Sequence, residues 1–180
     1  MTTIYETLSE DHRKVQLLLN QLIELSDDSK DRRQSLIMQI RDEFIPHARA
    51  EEAVFYNSIR AVNNAQDLAW DGYKEHIEIE ALLRTLQGLD WVDAKWKPTA
   101  EKLKRSIESH VQDEEVRIIP VARHLFSSEE AQIMNDAFEE MKVEIKEGTF
   151  VKSTLDLIAN LMPVRLAKPL REFDLRHEDR

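Results

Sequence analysis

The sequence predicts an all-α protein, an antiparallel four-helix up-down bundle with one or two additional C-terminal helices. Three observations lead there. Apolar residues recur at three- and four-residue intervals over long stretches, as in amphipathic helices, and no strand-like alternation of useful length interrupts them. Only 3 glycines and 5 prolines occur among 180 residues that are 42% hydrophobic, a composition suited to a globular helical chain. The connectors between the periodic stretches are short, which favours antiparallel neighbours.

Taken in order, residues 4–25 carry Ile4, Leu8, Val15, Leu18, Leu19, Leu22 and Leu25 on one stripe, with His12 between Leu8 and Val15. A polar turn, SDDSKD, precedes a second helix over about 32–62, through Leu36, Ile40, Phe44, His47, Glu51, Val54 and Phe55. Pro46 lies inside it and predicts a kink just before His47, because proline removes a backbone donor. A third helix, over about 68–89, places Tyr73, His76, Ile79, Leu83 and Leu86 on one side. A loop with Trp91 and Trp96 leads to Pro98, where a helix start tolerates proline. The fourth helix, over about 99–125, runs through Leu103, Ile107, His110, Glu114, Ile118 and Val121, and Pro120 should distort its last turns. The run SSEE at 127–130 is an N-cap signal for a fifth helix ending near Gly148. A shorter amphipathic segment, residues 150–162, precedes a charged tail. The expected division is a metal-binding bundle over 1–126 and a helical extension over 127–180. That extension packs on the bundle or buries its apolar face in a homodimer.

Composition narrows the function. The formal net charge is −10 and no basic run is present, which disfavours nucleic-acid binding. With no cysteine there is no disulfide, thiolate nucleophile, cysteine-ligated zinc or iron–sulfur cluster, and a cytoplasmic setting is favoured. The start MTTIYETLSEDH lacks the features of a signal peptide. No apolar run approaches the roughly 18 residues of a membrane span.

The chemistry gathers at FIPHARAEEAVF (44–55) and SHVQDEEVRIIP (109–120). His47 with Glu51, and His110 with Glu114, sit four apart on one helix face, about 6 Å along the axis. His12 and His76 fall on the stripes of the first and third helices. An internal repeat joins them. A shift of 64 carries Asp11-His12 to Glu75-His76 and Val15, Leu18, Leu19 and Leu22 to Ile79, Leu82, Leu83 and Leu86. A shift of 63 carries His47, Glu51 and Glu52 to His110, Glu114 and Glu115. Two similar hairpins, each giving one histidine and one His–Glu pair, would build a nearly symmetric, binuclear site. Carboxylates on apolar stripes are costly to bury without a counter-ion or metal. Four imidazoles and two carboxylates suit iron, manganese or zinc.

In this order and spacing, and in the phrases DHRKV, HARAEEAVF, EHIEIEALL and HVQDEEVRIIP, the chain resembles the hemerythrin-like (HHE cation-binding) domain family over roughly residues 4–125. The resemblance implies a non-haem di-iron centre, two Fe ions with an oxo or hydroxo bridge, held by His12, His47, Glu51, His76, His110 and Glu114. It implies that both glutamates bridge, and that the partner is a small diatomic or peroxide ligand. Family activities are binding or sensing of dioxygen, sensing of nitric oxide, iron-centre repair and peroxide breakdown. Oxygen carriers of the family place an extra histidine where this chain has Gly72, so a more open centre is expected. Their fourth-helix carboxylate would correspond to Glu115, whereas the internal repeat selects Glu114. Asp11 and Glu75 are read either as acceptors that orient ligands or as exposed helix acids, and Glu52 and Glu115 as meeting solvent or neighbours. Tyr73 is read as core packing, and His124 and His177 as non-ligands. The alternative to small-ligand chemistry is an iron- or oxygen-responsive regulatory or structural module without turnover.

Overall fold

The computed structural model describes residues 2–26, 29–62, 65–90 and 93–147. Five helical rods account for most of them. The rods are α1 (Ile4–Glu24), α2 (Lys30–Glu51), α3 (Gln66–Gly88), α4 (Trp96–Asp113) and α5 (Ser128–Glu147). α2 continues without a break through a π turn, Glu52–Tyr56, and a last α-helical turn, Asn57–Arg60. α4 continues likewise through a π turn, Glu114–Ile118, and the segment Ile119–Leu125. The expected kink at Pro46 is not where the helix changes. α2 keeps its α-helical run through Pro46, and the widening comes five residues or more later. Pro120 directly follows the second π turn, where a missing donor is least disruptive.

Two helix starts carry the caps their sequences announce. Thr3 donates its backbone N–H to Glu6 at 2.7 Å ahead of α1. Ser127 and Glu130 exchange bonds, Ser127 N–H to the Glu130 carboxylate at 2.8 Å and Glu130 N–H to Ser127 Oγ at 3.2 Å. Both are the reciprocal capping box that satisfies orphan donors of a first turn.

The first four rods close a ring, α1 against α2, α2 against α3, α3 against α4 and α4 against α1. α5 lies outside that ring, on the seam between α1 and α2. The interior is two apolar layers with a polar layer between them. One layer holds Ile4, Leu8, Val54, Phe55, Tyr56, Ile59, Ile118 and, from α5, Met134, Phe138 and Met141. The other holds Val15, Leu19, Leu36, Ile40, Phe44, Ile79, Leu83, Trp96, Leu103 and Ile107. Each such side chain stabilises the fold by about 1.5–3 kcal/mol when fully buried. Against that gain the polar layer is a cost, so its composition calls for a reason. Among the described residues no helix is long and apolar enough to cross a membrane. Trp91, His177, the segment 150–162 and its suggested dimer contact lie outside the described residues.

Candidate metal centre

The polar layer is where the four ring helices contribute the same residue types at the same height. His12 of α1, His47 and Glu51 of α2, His76 of α3 and His110 and Glu114 at the end of α4 are all buried, with Glu51 and Glu114 at 0% exposure. Because His47 and Glu51 are one helical turn apart, both side chains project inward from α2. The same holds for His110 and Glu114. All six predicted residues are therefore brought together. His12, His47 and His110 each offer an atom within 4.8 Å of one another. So do Glu51, His76 and His110, and so do His12, Glu51 and Glu114. The rings pair within each hairpin, His12 with His47 at 5.1 Å between centroids and His76 with His110 at 4.7 Å.

The histidines present one nitrogen each to this focus. His76 Nε2 lies 3.3 Å from His110 Nε2 and 3.2 Å from Glu51 Oε2. His12 Nε2 lies 3.1 Å from Glu114 Oε2, and His47 Nε2 3.6 Å from Glu51 Oε2. The other nitrogen of every ring faces an acid on a neighbouring helix. Nδ1–H of His47 donates to Asp11 at 3.3 Å and that of His110 to Glu75 at 3.0 Å. Nδ1–H of His76 donates to Glu52 at 3.0 Å and that of His12 to Glu115 at 3.3 Å. An imidazole whose Nδ1 proton is held by a carboxylate is fixed in tautomer and orientation, with its Nε2 lone pair free for a cation. Four carboxylates do this here in a pattern that repeats between the hairpins. Asp11 and Glu75 thus act as acceptors that orient the rings. Glu52 and Glu115 go beyond the expectation of contact with solvent or neighbours, since each holds a site histidine. Glu115 is engaged with the outer side of His12, while Glu114 points inward.

A test of fit with a metal comes from what the inward atoms lack. Nε2 of His12 and His47 and all four oxygens of Glu51 and Glu114 have no hydrogen-bond partner among the described residues. A buried carboxylate left so costs several kcal/mol. The chain builds a concave set of nitrogen and oxygen donors that only cations, protons or water would satisfy, and the donor set suits a borderline-hard divalent metal.

The same environment displaces the titrations. Burial and the adjacent Glu114 push the Glu51 carboxyl well above its ordinary range. Burial also acts on Glu114, but the His12 ring 3.1 Å away outweighs it and holds Glu114 well below. For His12, burial is likewise outweighed by Glu114 and Glu115, and its pKa rises to about 10. Burial of His47 prevails over Asp11, and its pKa falls to about 4. These shifts fix a pH profile for the metal-free protein. His12 binds a proton more tightly folded than unfolded, so its contribution is full below pH 6.5 and is lost as pH rises towards 10. His47 binds one less tightly, so stability is lost as pH falls from 6.5 towards 4. Thermal melts of metal-free protein should peak near pH 6.5, and His12→Gln should flatten the alkaline limb. An unchanged alkaline limb in that variant would contradict the assignment.

Sequence reading missed Tyr56. Its ring is fully buried and stacks on His76, with centroids 5.5 Å apart and planes at 27°. Its hydroxyl has no hydrogen-bond partner among the described residues. Burial, then the charges of Glu114 and Glu51, push the phenol well above its ordinary range. It also takes up the volume beside Gly72. A Cβ built on Gly72 would lie 2.4 Å from both Cζ and the hydroxyl oxygen of Tyr56, so the tyrosine fills that volume. Tyr73 instead donates its hydroxyl to the backbone carbonyl of Glu52 at 3.1 Å, away from the focus. His124 is exposed, and its Nδ1–H donates to the Pro120 carbonyl at 2.7 Å, so it takes no part.

Comparison with known proteins agrees with this geometry. The family model of the hemerythrin HHE cation binding domain matches residues 3–122. A protein of Nostoc sp. named DNA nickase is 27% identical over 144 residues, which make up 80% of this chain and 40% of that protein. The chain thus spans less than half the length of that relative. An uncharacterized hemerythrin-like protein of Schizosaccharomyces pombe is 27% identical over 145 residues, 79% of this chain and 70% of the other. In fold, the chain is similar to the crystal structure of a hemerythrin HHE cation binding domain-containing protein from Mycobacterium kansasii. That likeness has a TM-score of 0.72 at 20% identity, over 93% of this chain and 99% of that one. Since the family model covers two thirds of the sequence, the chain belongs to the hemerythrin HHE cation-binding domain family.

Proposed function

We propose that His12, His47, Glu51, His76, His110 and Glu114 hold two iron ions, and that the protein binds, senses or reacts with dioxygen, peroxide or nitric oxide. The observation that carries this reading is the set of buried inward-facing atoms of His12, His47, Glu51 and Glu114 that lack hydrogen-bond partners among the described residues. Iron held there would supply one-electron chemistry to a small oxidant, with catalase-like peroxide breakdown as the form it takes if there is turnover. Zinc or manganese could occupy the same donors without that reactivity.

The chain's own groups shape the chemistry. The four outer carboxylates keep the Nδ1 protons in place, so each ring is held with Nε2 turned inward. Phe44 sits 5.6 Å from His76, and Phe138 5.6 Å from His47, so aromatic walls keep bulk water from the focus. Tyr56, stacked on His76, brings an uncharged O–H that can donate a hydrogen bond to an incoming oxygen atom. The acidic, cysteine-free composition suits a cytoplasmic setting.

Metal analysis with an optical spectrum tests the reading on protein from iron-supplemented cells. About two irons per chain are expected, as the three donor sets share all six residues between two positions. Near-ultraviolet charge-transfer absorption should be present and should vanish in His47→Ala. A helical protein that carries no iron and cannot be loaded with it would overturn the proposal.

A further inference from the structure

The fifth helix reaches into the metal centre. α5 packs on α1 and α2, and two of its side chains meet the half of the site made by His12 and His47. The ring of Phe138 lies 5.6 Å from His47, edge to face at 87°. One turn further on, Lys142 Nζ lies 2.6 Å from Asp11 Oδ2, the oxygen that accepts Nδ1–H of His47 at 3.3 Å. The lysine is mostly enclosed, 13% exposed, and its ammonium also meets Glu139 at 2.7 Å and the face of Phe138 at 4.7 Å. A continuous path, Lys142 to Asp11 to His47, therefore joins an element outside the ring to an inward-facing nitrogen.

The other hairpin has no counterpart. Glu75, which stands to His110 as Asp11 stands to His47, is 30% exposed and meets no lysine or arginine at ion-pair distance among the described residues. A cation does back Glu52, the acceptor for His76. It is Arg49, on the same helix as Glu52 and 43% exposed, and it also pairs with Glu80 of α3, so it ties no element from outside the ring to the site. Lys142 differs in its origin, since α5 also lies beyond the residues 3–122 that match the family.

We propose that Lys142 is a positioning residue for the metal centre. Through Asp11 it fixes the rotation of the His47 ring, and so couples the docking of α5 to occupancy of the His12/His47 half. Without the ammonium, Asp11 keeps only the weaker attraction of Lys14, 3.6 Å away on the solvent side. The carboxylate then turns outward and His47 loses its outer anchor. Linkage makes the effect reciprocal, because a metal that favours the anchored ring also favours the docked helix.

The inference rests on the iron reading above, and the test separates the two. Full-length wild type, Lys142→Met, Asp11→Asn and the double variant are loaded with ferrous iron and challenged with excess chelator. Loss of a group that orients a ligand typically costs 10–100-fold in metal affinity. Lys142→Met should therefore release one iron per chain about 10-fold faster or more, with the other within about twofold of wild type. The double variant should be no faster than Asp11→Asn, since both changes break one path. Equal acceleration of both irons, no acceleration, or additive effects would overturn the proposal. A second measurement needs no variant. Amide hydrogen exchange across residues 128–147 of wild type should slow on iron loading, and exchange indifferent to iron would overturn the coupling. Wild type that takes up no iron removes the iron reading itself, whereas normal uptake with unchanged release in Lys142→Met removes this inference alone.

Discussion

Glu51→Leu should melt at a higher temperature than the wild-type chain when both are free of metal, and should gain nothing from iron. Both effects come from the same buried atoms. Glu51 and Glu114 are at 0% exposure with no hydrogen bond to any of their four oxygens. Without metal, one carboxyl is driven towards its neutral form while the other is held ionised against His12. A buried neutral carboxyl without a hydrogen bond costs about 1–3 kcal/mol, and an apolar side chain of similar size does not carry that cost. Glu114 keeps its partner His12 in the variant, so no lone charge is created. A gain of about 2 kcal/mol corresponds to roughly 4–8 °C at this chain length. Wild type, in contrast, should gain about 2.7 kcal/mol from metal at a hundred times its dissociation constant, and the variant none. Scanning calorimetry with and without iron reads both. A metal-free variant that melts below wild type would mean the carboxylate is satisfied in a way the structure does not show.

Gly72→Ala should destabilise the protein although it lies inside a helix, where that exchange ordinarily stabilises by about 1 kcal/mol. The new methyl would sit 2.4 Å from the tip of the Tyr56 ring. A tip can give way only if there is space, and this one has none. The ring is buried, stacked on His76 and met edge-on by Tyr73 at 5.5 Å. Overpacking of this kind costs about 1–3 kcal/mol. Pushing the ring also presses on His76, so metal release should accelerate along with urea-induced unfolding. In a double-mutant cycle with Tyr56→Ala the combined loss should be smaller than the sum, because removal of the ring makes the space. A neutral or stabilising Gly72→Ala would show that Tyr56 is not confined there.

The contrast between Tyr56 and the six inward-facing residues explains what a sequence can disclose about this site. The helix count, the five boundaries to within a few residues and all six site residues follow from three- and four-residue spacing, because the α-helical repeat holds up to and including Glu51. Tyr56 comes five positions after Glu51. On an α-helix that is about 140° away, which points it out of the site. The π turn over Glu52–Tyr56 closes five residues where an α turn closes four, and so swings Tyr56 back towards the face of Glu51. Nothing in a periodicity reading announces a π turn. Gly72 was the available signal, since a glycine inside a helix with no bend often marks a close approach by something else. Glu52 and Glu115 each follow an inward-facing glutamate by one residue, about 100° round a helix. Their roles depend on which helix stands beside that flank, and that is information about packing order, absent from the local pattern. Lys142 is further still, since its reach to Asp11 spans 131 positions of chain.

One-sided cover by α5 gives the centre an inside and an outside in its exchange with solvent. The two hairpins are nearly the same in their ligands and in their outer carboxylates, yet water meets them differently. Asp11 is closed in by Lys142, with 9% of its side chain exposed, while Glu75 leaves 30% open beside a groove lined by Glu78, Lys102, Arg105, Ser106 and Ser109. The Nδ1 proton of His110 is thus one carboxylate from bulk water, and that of His47 lies behind a lysine. Through one added helix, a protein with twofold repetition in its sequence keeps the acid behind His47 dry and leaves its counterpart behind His110 wet.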